Sequence, residues 1–463
     1  MQFNNKESRL EEFISNPNKA LWTLALPMMI GMSVQAIYQI VDMIFVGRLG
    51  PDAIAALAFN LPLLFFAIGI IFGLGSGVTA IIAQYIGMKN KKRADNAAEH
   101  SILLGISISI IFTLIGWIYG KKLLLLLGTP TNILNDAFNY FIILVSGIVF
   151  MILSVFFRSI LSGEGDTKFP MYVMGSGTIM NIILDPILIF GFNMGVSGAA
   201  AATIISQAIV CCVFLYAFII KKYPYISFEP RHFKFDSAIL YSILQLGLPA
   251  SFSMVLMSFG SAIFNKILVN FSADTVSAYQ IASRVDHLFF MPVISIVSSM
   301  VTLVGMFYGA KKLSLVIQII HYGLKQTILI SVAVGIFFYF FAVNIFPIFT
   351  DSNSIINYGV EYIKIAVFSY PFIAIGMTSS RIMQGLGYGM PMLFLTLMRV
   401  ILISVPLSMY YIYIQNESHI YVWYSMVISS IITAMVAYPW MRISLKNRSK
   451  QTEIDSILNS NEV

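Results

Sequence analysis

Apolar runs long enough to cross a membrane recur along nearly the whole chain, separated by short polar stretches. A bilayer about 30 Å thick takes about 20 helical residues to cross, and a helix satisfies its own backbone hydrogen bonds within lipid. The runs are too continuously apolar for the alternating pattern of a membrane barrel. Only 11% of the 463 residues are charged, a share too low for a water-soluble domain of this length. The sequence therefore predicts an all-α integral membrane protein.

The apolar runs predict about twelve transmembrane helices. We place them near residues 20–46, 54–86, 98–119, 138–162, 169–192, 196–220, 241–271, 275–307, 318–343, 358–385, 391–414 and 420–443. Lysine and arginine concentrate in alternate loops, which the positive-inside rule assigns to the cytoplasm. An even number of spans puts both termini on that side, and the polar first twenty residues contain no signal-peptide core. We expect a multi-pass protein of the plasma membrane with cytoplasmic termini.

The net charge of +7 and the two cysteines exclude several other classes of protein. The positive residues lie in short loops rather than on one folded basic face, so we expect no nucleic-acid partner. Cys211 and Cys212 are adjacent in one helix and indicate neither a disulfide framework nor a zinc site. We find no HExxH motif, nucleophile elbow or P-loop, so the chain is not expected to be an enzyme.

The sequence repeats itself with an offset of about 222 residues. The matches are Leu26-Pro27 with Leu248-Pro249, Asp52 and Ala56 with Asp274 and Ala278, Gly87 and Lys89 with Gly309 and Lys311, and Arg158 within a residue of Arg381. Repeats with an even number of spans keep the same orientation. We therefore expect two six-helix bundles related by a pseudo-two-fold axis along the membrane normal, with a cavity between them. We assign residues 1–220 to an N-terminal lobe, 221–240 to a cytoplasmic linker, 241–445 to a C-terminal lobe and 446–463 to a polar cytoplasmic tail.

Polar residues inside the first lobe cluster on particular helix faces. In the first span, Gln35, Tyr38, Gln39 and Asp42 follow the i, i+3, i+4, i+7 spacing of one stripe. In the fifth span, Asn181 and Asp185 share a face, and Pro186 favours a kink or unwound turn. The sixth span adds Thr203, Ser206 and Gln207 on one face.

These groups predict a proton or cation site in the first lobe. Carboxylate, amide and carbonyl oxygens are hard ligands that suit a small cation, and ionisable groups at membrane depth usually line a pathway or are paired. Two other interpretations stay open. Asp42 lies near the outer end of its span, where it can reach interfacial water, and hydroxyls such as that of Thr203 often bond between helices as structural links.

The second lobe does not duplicate these acids. The positions that match Asp42 and Asp185 hold Phe264 and the region of Val405-Pro406, so we expect the coupling chemistry in the first lobe. Arg284, Asp286 and His287 occur together in the eighth span, before Met291. They are interpreted either as an internal pair that neutralises itself or as part of a ligand-lined cavity.

Three segments resemble the multidrug and toxic compound extrusion (MATE) transporters, most closely the DinF-type branch. They are LPMMIGMSVQAIYQIVDMIFVGRLG, ILSGEGDTKFPM and NIILDPILIFGFNMGVSGAAAAT. The resemblance implies two lobes that rearrange in a V shape to export organic cations in exchange for H⁺ or Na⁺. It also implies that Asp42, Asn181, Asp185 and Thr203 form the N-lobe site for that proton or for Na⁺, and that Pro27 and Tyr38 take part in bending of the first helix.

We therefore expect a secondary active multidrug efflux antiporter that works by alternating access as a monomer surrounded by membrane lipids. It needs no cofactor apart from the coupling ion, H⁺ or Na⁺. Gln35, Gln39, Arg284, Asp286 and Met291 are expected to line the substrate cavity or to assist helix bending. The alternative is a flippase of lipid-linked precursors, for which a more cationic cavity is expected; the buried cations are few, with Arg284 and Arg399 the main ones.

Overall fold

The computed structural model describes residues 8–228 and 233–460, without the side chains of residues 38–40 and 451–460. Within these ranges the regular elements are helices. They are α1 (Leu10–Ser15), α2 (Pro17–Gly47), α3 (Pro51–Gly87), α4 (Lys91–Leu126), α5 (Leu134–Ser146), α6 (Ile148–Gly163), α7 (Lys168–Pro186), α8 (Val196–Leu215), α9 (Ser237–Leu268), α10 (Ala273–Gly309), α11 (Leu313–Ile345), α12 (Asn353–Ala366), α13 (Tyr370–Gly385), α14 (Met390–Leu397), α15 (Val405–Met409) and α16 (Ile420–Ser460).

The described part of the chain contains 11 stretches of helix that are long and apolar enough to cross a membrane. The pair α5 and α6 makes one more span with a bend of 46°, which brings the number to 12. The bend falls at Gly147, where a Cβ would overlap the side chain of Ile204 on α8. The prediction of an all-α membrane protein with about twelve spans is confirmed.

The two halves of the molecule meet along one end of the membrane region. We call the face where α3 ends and α4 begins (residues 87–91) the inner face, and the face where α2 ends and α3 begins (residues 47–51) the outer face. Hydrogen bonds join α2–α8 to α9–α13 in the inner half of the molecule. They connect Trp22 with Tyr322, Met28 with Ser299, Met32 with Ser295, Ile70 with Ser251, Ser76 with Gln384, Gln84 with Gly385, and Ser162 with Thr302.

Glycines bring the backbones of the two halves into direct contact at the inner end. A Cβ on Gly309 of α10 would overlap the carbonyl of Gln84 on α3, and one on Gly77 of α3 would lie 2.7 Å from the carbonyl of Ile243 on α9. In the outer half, by contrast, large apolar side chains such as Phe65 of α3 and Phe259 of α9 are exposed. The halves are therefore sealed together at the inner face, and we interpret the outer half as the side on which a cleft between them opens.

The inner face also carries the short helix α1, which is folded against the loop between α6 and α7. Phe13 of α1 is 1% exposed, and Arg9 donates to the carbonyl of Gly165 and lies 3.4 Å from the carboxylate of Asp166. The hydroxyl of Tyr223, from the segment that links the halves, donates to Asp166 at 2.6 Å. Helix α1 and the linker are thus both attached to this loop.

Candidate cation site and cleft

Helix α2 is shared between the two halves. Its inner half packs on α10, where the sulfur atoms of Met28 and Met32 accept hydrogen bonds from Ser299 and Ser295. The helix also packs on α7 of its own half and runs without a break across Pro27. One continuous helix therefore connects the outer part of α2 with the part that packs on α10.

Asp42, Asn181 and Asp185 come together where the outer part of α2 meets α7. Asn181 and Asp185 are 3% and 0% exposed, and the Asn181 amide donates to Asp185 Oδ1 at 3.5 Å. The carboxyl group of Asp42 is close enough to that of Asp185 for the two to interact electrostatically. Two neighbouring carboxyls cannot both stay charged in a buried site without compensation, because like charges repel strongly there. The pair therefore needs a shared proton or a bound cation.

Three oxygen atoms of this cluster are buried and lack a hydrogen-bond partner: Asp42 Oδ1, Asn181 Oδ1 and Asp185 Oδ2. Buried polar atoms left without partners are costly, so the cluster is suited to receive a ligand. The donors are hard oxygens, as Na⁺ requires. Among the residues the structure describes, no group of three or more His, Cys, Asp or Glu side chains is gathered for a metal ion. The donor set fits a proton or a monovalent cation.

Three further residues define the surroundings of this cluster. Thr203 donates to the carbonyl of Ala199 in its own helix at 3.0 Å, so its hydroxyl is engaged there. After Pro186 the helix continues as a π-helical turn, Ile187–Gly191, which confirms the predicted distortion. Tyr140 of α5 is 9% exposed and lies within electrostatic reach of both Asp42 and Asp185. Tyr140 could not be predicted from the sequence, because one tyrosine in an apolar span gives no signal.

The other residues predicted for the cavity fall in different environments. Gln35 is exposed in the outer half of α2, on the open side of the seal, and Arg284 is exposed on α10. Met291 is 8% exposed and belongs to the packed part of α10. The side chains of Tyr38 and Gln39 lie outside the described residues. Gln35 and Arg284 are thus accessible at the surface of their helices, whereas Met291 is packed inside the protein.

Asp286 is buried in the second half and held by two tyrosines. Its Oδ2 accepts from the hydroxyl of Tyr362 at 2.7 Å, and its Oδ1 accepts from that of Tyr370 at 2.5 Å. Arg284 makes no ion pair with it among the described residues, so the interpretation of a self-neutralising pair is wrong. The reason is geometric, since residues two apart on a helix point in different directions. Asp286 ties α10 to α12 and α13.

The expectation that Arg284 and Arg399 are the main buried cations is also wrong. Arg284 is exposed, whereas Arg158 of α6 and Arg381 of α13 are, like Arg399, only partly exposed. Both lie near the inner ends of predicted spans, where the sequence alone suggests side chains that extend to the inner surface. The structure instead directs them into the protein, where the guanidinium of Arg158 lies over the Phe72 ring and that of Arg381 donates to Gln384.

The twelve spans in two similar halves, with a cleft between them and a buried acid cluster in one half, are the architecture of a membrane transporter. The MatE family profile matches residues 27–187 and again residues 249–410. The chain therefore belongs to the MATE family. The two matches begin 249 − 27 = 222 residues apart, which is the repeat offset seen in the sequence.

Proteins similar to this chain include curated transporters and solved structures. It is 29% identical over 370 residues to the probable multidrug resistance protein YoeA of Bacillus subtilis, covering 78% of this chain and 80% of that protein. It is 26% identical over 397 residues to the multidrug export protein MepA of Staphylococcus aureus, covering 83% and 85%. An outward-facing structure of a multidrug resistance MATE transporter superposes with a TM-score of 0.89 at 30% identity, covering 94% and 97%.

Proposed function

We propose that the protein is a secondary active antiporter of the plasma membrane that exports small organic, often cationic, compounds in exchange for H⁺ or Na⁺. The observation that carries this proposal is the cluster of Asp42, Asn181 and Asp185 between α2 and α7, with its unpartnered buried oxygens. The names of YoeA and MepA, which refer to multidrug resistance and multidrug export, support the substrate class. The inner face is then cytoplasmic, and a monomer supplies both halves of the cleft.

The coupling follows from the position of α2. A proton or Na⁺ that enters the cluster neutralises the repulsion between Asp42 and Asp185 and lets α2 and α7 pack closely. Its departure restores the repulsion and pushes the outer part of α2 away from α7. Because the inner part of α2 is attached to α10, this displacement changes the stability of the inner seal. Pro27 lies on the inner side of these attachments, at a position where a proline weakens a helix and allows it to bend.

The test is export of a fluorescent organic cation from proteoliposomes under an imposed proton gradient and, separately, a sodium gradient. We compare the wild type with Asp185→Asn and with the control Asp52→Asn, which changes an exposed acid at the outer end of α3. We expect gradient-driven export to fall at least about tenfold in Asp185→Asn, since a proton or ion site loses its charge, and to persist in Asp52→Asn.

Two results would count against this proposal. Export that runs equally fast with no gradient would identify a passive pathway. Absence of export under both gradients, together with movement of a lipid-linked precursor between leaflets, would favour the flippase.

A further inference from the structure

Two arginines of the membrane-embedded helices form no ion pair with an acidic residue in the described part of the chain. They are Arg158 of α6 and Arg381 of α13, which the repeat matches to within a residue. Their surroundings are alike. Within residues 154–167 Arg158 is the one residue that is not buried, and within residues 378–386 this holds for Arg381. Arg158 and Arg381 are thus the partly exposed residues of two otherwise buried helix ends.

Both side chains approach the same face of α3. The guanidinium of Arg158 lies 4.8 Å from the centre of the Phe72 ring. Arg381 donates to the side-chain oxygen of Gln384 at 2.9 Å, and the amide of Gln384 donates to Ser76 at 2.8 Å. Phe72 and Ser76 are one turn apart and about 40° apart around the helix axis. One arginine of each half is therefore linked to this patch of α3, Arg158 directly and Arg381 through Gln384.

This patch is the inner end of the cleft. On one side of it, Thr79 of α3 bonds to the backbone of Ser159 on α6, and on the other side Gly77 packs on α9. Phe72 and Ser76 lie between these two contacts and are partly exposed, whereas residues 77–83 are buried. The open space next to the patch thus ends where the seal between the halves begins.

The simpler explanation of Arg158 is a side chain that extends to the inner surface, as long cationic side chains near helix ends often do. The contact with Phe72 contradicts it. Phe72 lies on the outer side of the Thr79 contact, so the guanidinium points toward the outer face and away from the inner surface. A guanidinium at membrane depth without a counter-ion is costly and usually functional.

We propose that Arg158 and Arg381 form an anion-binding site at the inner end of the cleft, which takes the carboxylate or phosphate group of a transported amphipathic molecule. Guanidinium groups bind both kinds of oxyanion through paired N–H donors, and the ring of Phe72 offers an apolar surface beside the charge. The inference rests on the proposed export function. It extends the substrate class to compounds that carry an anionic group, whether they are soluble compounds or lipids.

The experiment uses a matched pair of dyes, a rhodamine with a free carboxylate and the ethyl ester of the same rhodamine. Equilibrium binding of each dye to the purified protein in detergent is measured first, then export from proteoliposomes. The variants are Arg158→Gln, Arg381→Gln and the charge-retaining Arg158→Lys, with Arg442→Gln as the control at an exposed arginine of α16. Monodisperse elution of each variant establishes that it is folded, and Arg158→Lys provides the test if a glutamine variant does not fold.

We expect each glutamine variant to bind the carboxylate dye about tenfold more weakly or worse, since hydrogen bonds to charged groups are the strong ones. Binding of the ester should change less than about twofold, and Arg158→Lys should give an intermediate value because it keeps the charge but loses the paired donors. The anion site is overturned if the glutamine variants lose affinity equally for both dyes, or if the wild type binds only the ester. Failure of the wild type to export either dye contradicts the export function, while the binding measurement still decides the anion site.

A second arm separates soluble anions from lipid head groups. Movement of fluorescently labelled phosphatidylglycerol between leaflets is compared with that of phosphatidylcholine in the same vesicles. Arginine-dependent movement of phosphatidylglycerol alone would identify a lipid phosphate as the natural occupant. Arginine-dependent export of the carboxylate dye without lipid movement would identify a soluble compound. If neither export of the carboxylate dye nor lipid movement depends on Arg158 and Arg381, the proposal is overturned.

Discussion

The hydroxyl of Tyr370 lies 2.5 Å from a carboxylate oxygen of Asp286 and fixes the start of α13 to the middle of α10. The other carboxylate oxygen is occupied by Tyr362, so both oxygens of this buried acid have a phenol donor. The aromatic ring of Tyr370 also stacks on Phe289, with ring centres 4.0 Å apart. The acid of the second half is thus a structural link, in contrast to the unpartnered acids of the first half.

The variant Tyr370→Phe should lower the stability of the folded protein. It leaves one oxygen of a buried carboxylate without a donor, which costs about 1–3 kcal/mol. We expect the melting temperature in detergent to fall by a few degrees, measured by thermal unfolding of the purified protein. Tyr424→Phe, at an exposed tyrosine of α16, is the control. Equal melting temperatures for the two variants would show that the Asp286 link contributes nothing.

The variant Asp42→Asn should remove the response of the protein to its coupling ion. In the wild type, added Na⁺ or added acid relieves the repulsion between Asp42 and Asp185, so one of the two should raise the melting temperature. With asparagine at position 42 the repulsion is absent and the rise should shrink to less than about half. Asp52→Asn should respond like the wild type. An undiminished rise in Asp42→Asn would place the ion elsewhere.

The inner seal should be sensitive to a single methyl group on α10. Gly309→Ala puts a Cβ onto the carbonyl of Gln84, so the halves cannot close fully. We expect wider separation of spin labels placed across the inner ends of α3 and α10, and lower thermal stability. Gly175→Ala is the matched control, because a Cβ there meets nothing within 4 Å. That substitution should leave the distances unchanged and stabilise α7 by up to about 1 kcal/mol. Unaltered distances in Gly309→Ala would show that the contact is not part of the seal.

Glu164 should make the stability of the inner face depend on pH. Burial raises the pKa of this carboxyl to about 8, although the Ile226 N–H that it accepts at 3.2 Å opposes the shift. A folded-state pKa above the unfolded value of 4.5 means that the protonated form is favoured by folding. Its contribution to stability is complete below pH 4.5 and is lost as the pH rises through 8.

The measurement for Glu164 is thermal unfolding of the wild type and Glu164→Gln between about pH 5 and pH 9. Glutamine keeps an acceptor for Ile226 but has no proton to lose, so the fall in stability over this range should be reduced. Glu11→Gln is the control, since the ion pair with Lys89 lowers the pKa of that exposed carboxyl. Parallel pH profiles for the wild type and Glu164→Gln would exclude Glu164 as the source.

Much of the architecture was predictable from the sequence, because hydropathy determines which segments cross a membrane. The twelve spans follow from the apolar character of individual segments, and the repeat offset follows from comparing segments with each other. The pairing of Asn181 with Asp185 was also predictable, since residues four apart share a helix face. Their proximity to Asp42 followed only from the family resemblance, as 143 residues separate Asp42 from Asp185.

The remaining features depend on contacts between distant segments. The partners of Asp286 lie 76 and 84 residues further along the chain, so the sequence around Asp286 does not indicate them. The break between α5 and α6 arises at Gly147 because α8 approaches there. Arg158 and Arg381 were visible as repeat matches, but their direction depends on the depth at which α6 and α13 pack on α3. The assignment to the DinF-type branch stays a prediction.

The unequal chemistry of the two halves sets an energetic ceiling on transport. If exchange uses the first-half cluster alone, each cycle moves only the few monovalent ions that one pair of carboxyls can hold. An ion that moves down a tenfold gradient supplies about 1.4 kcal/mol, which is enough to concentrate an uncharged substrate about tenfold. A second acid cluster in the other half would have raised that limit, but there the tyrosines already occupy the carboxylate. With the coupling proposed above, a single pair of acids would set the steepest substrate gradient that the transporter sustains.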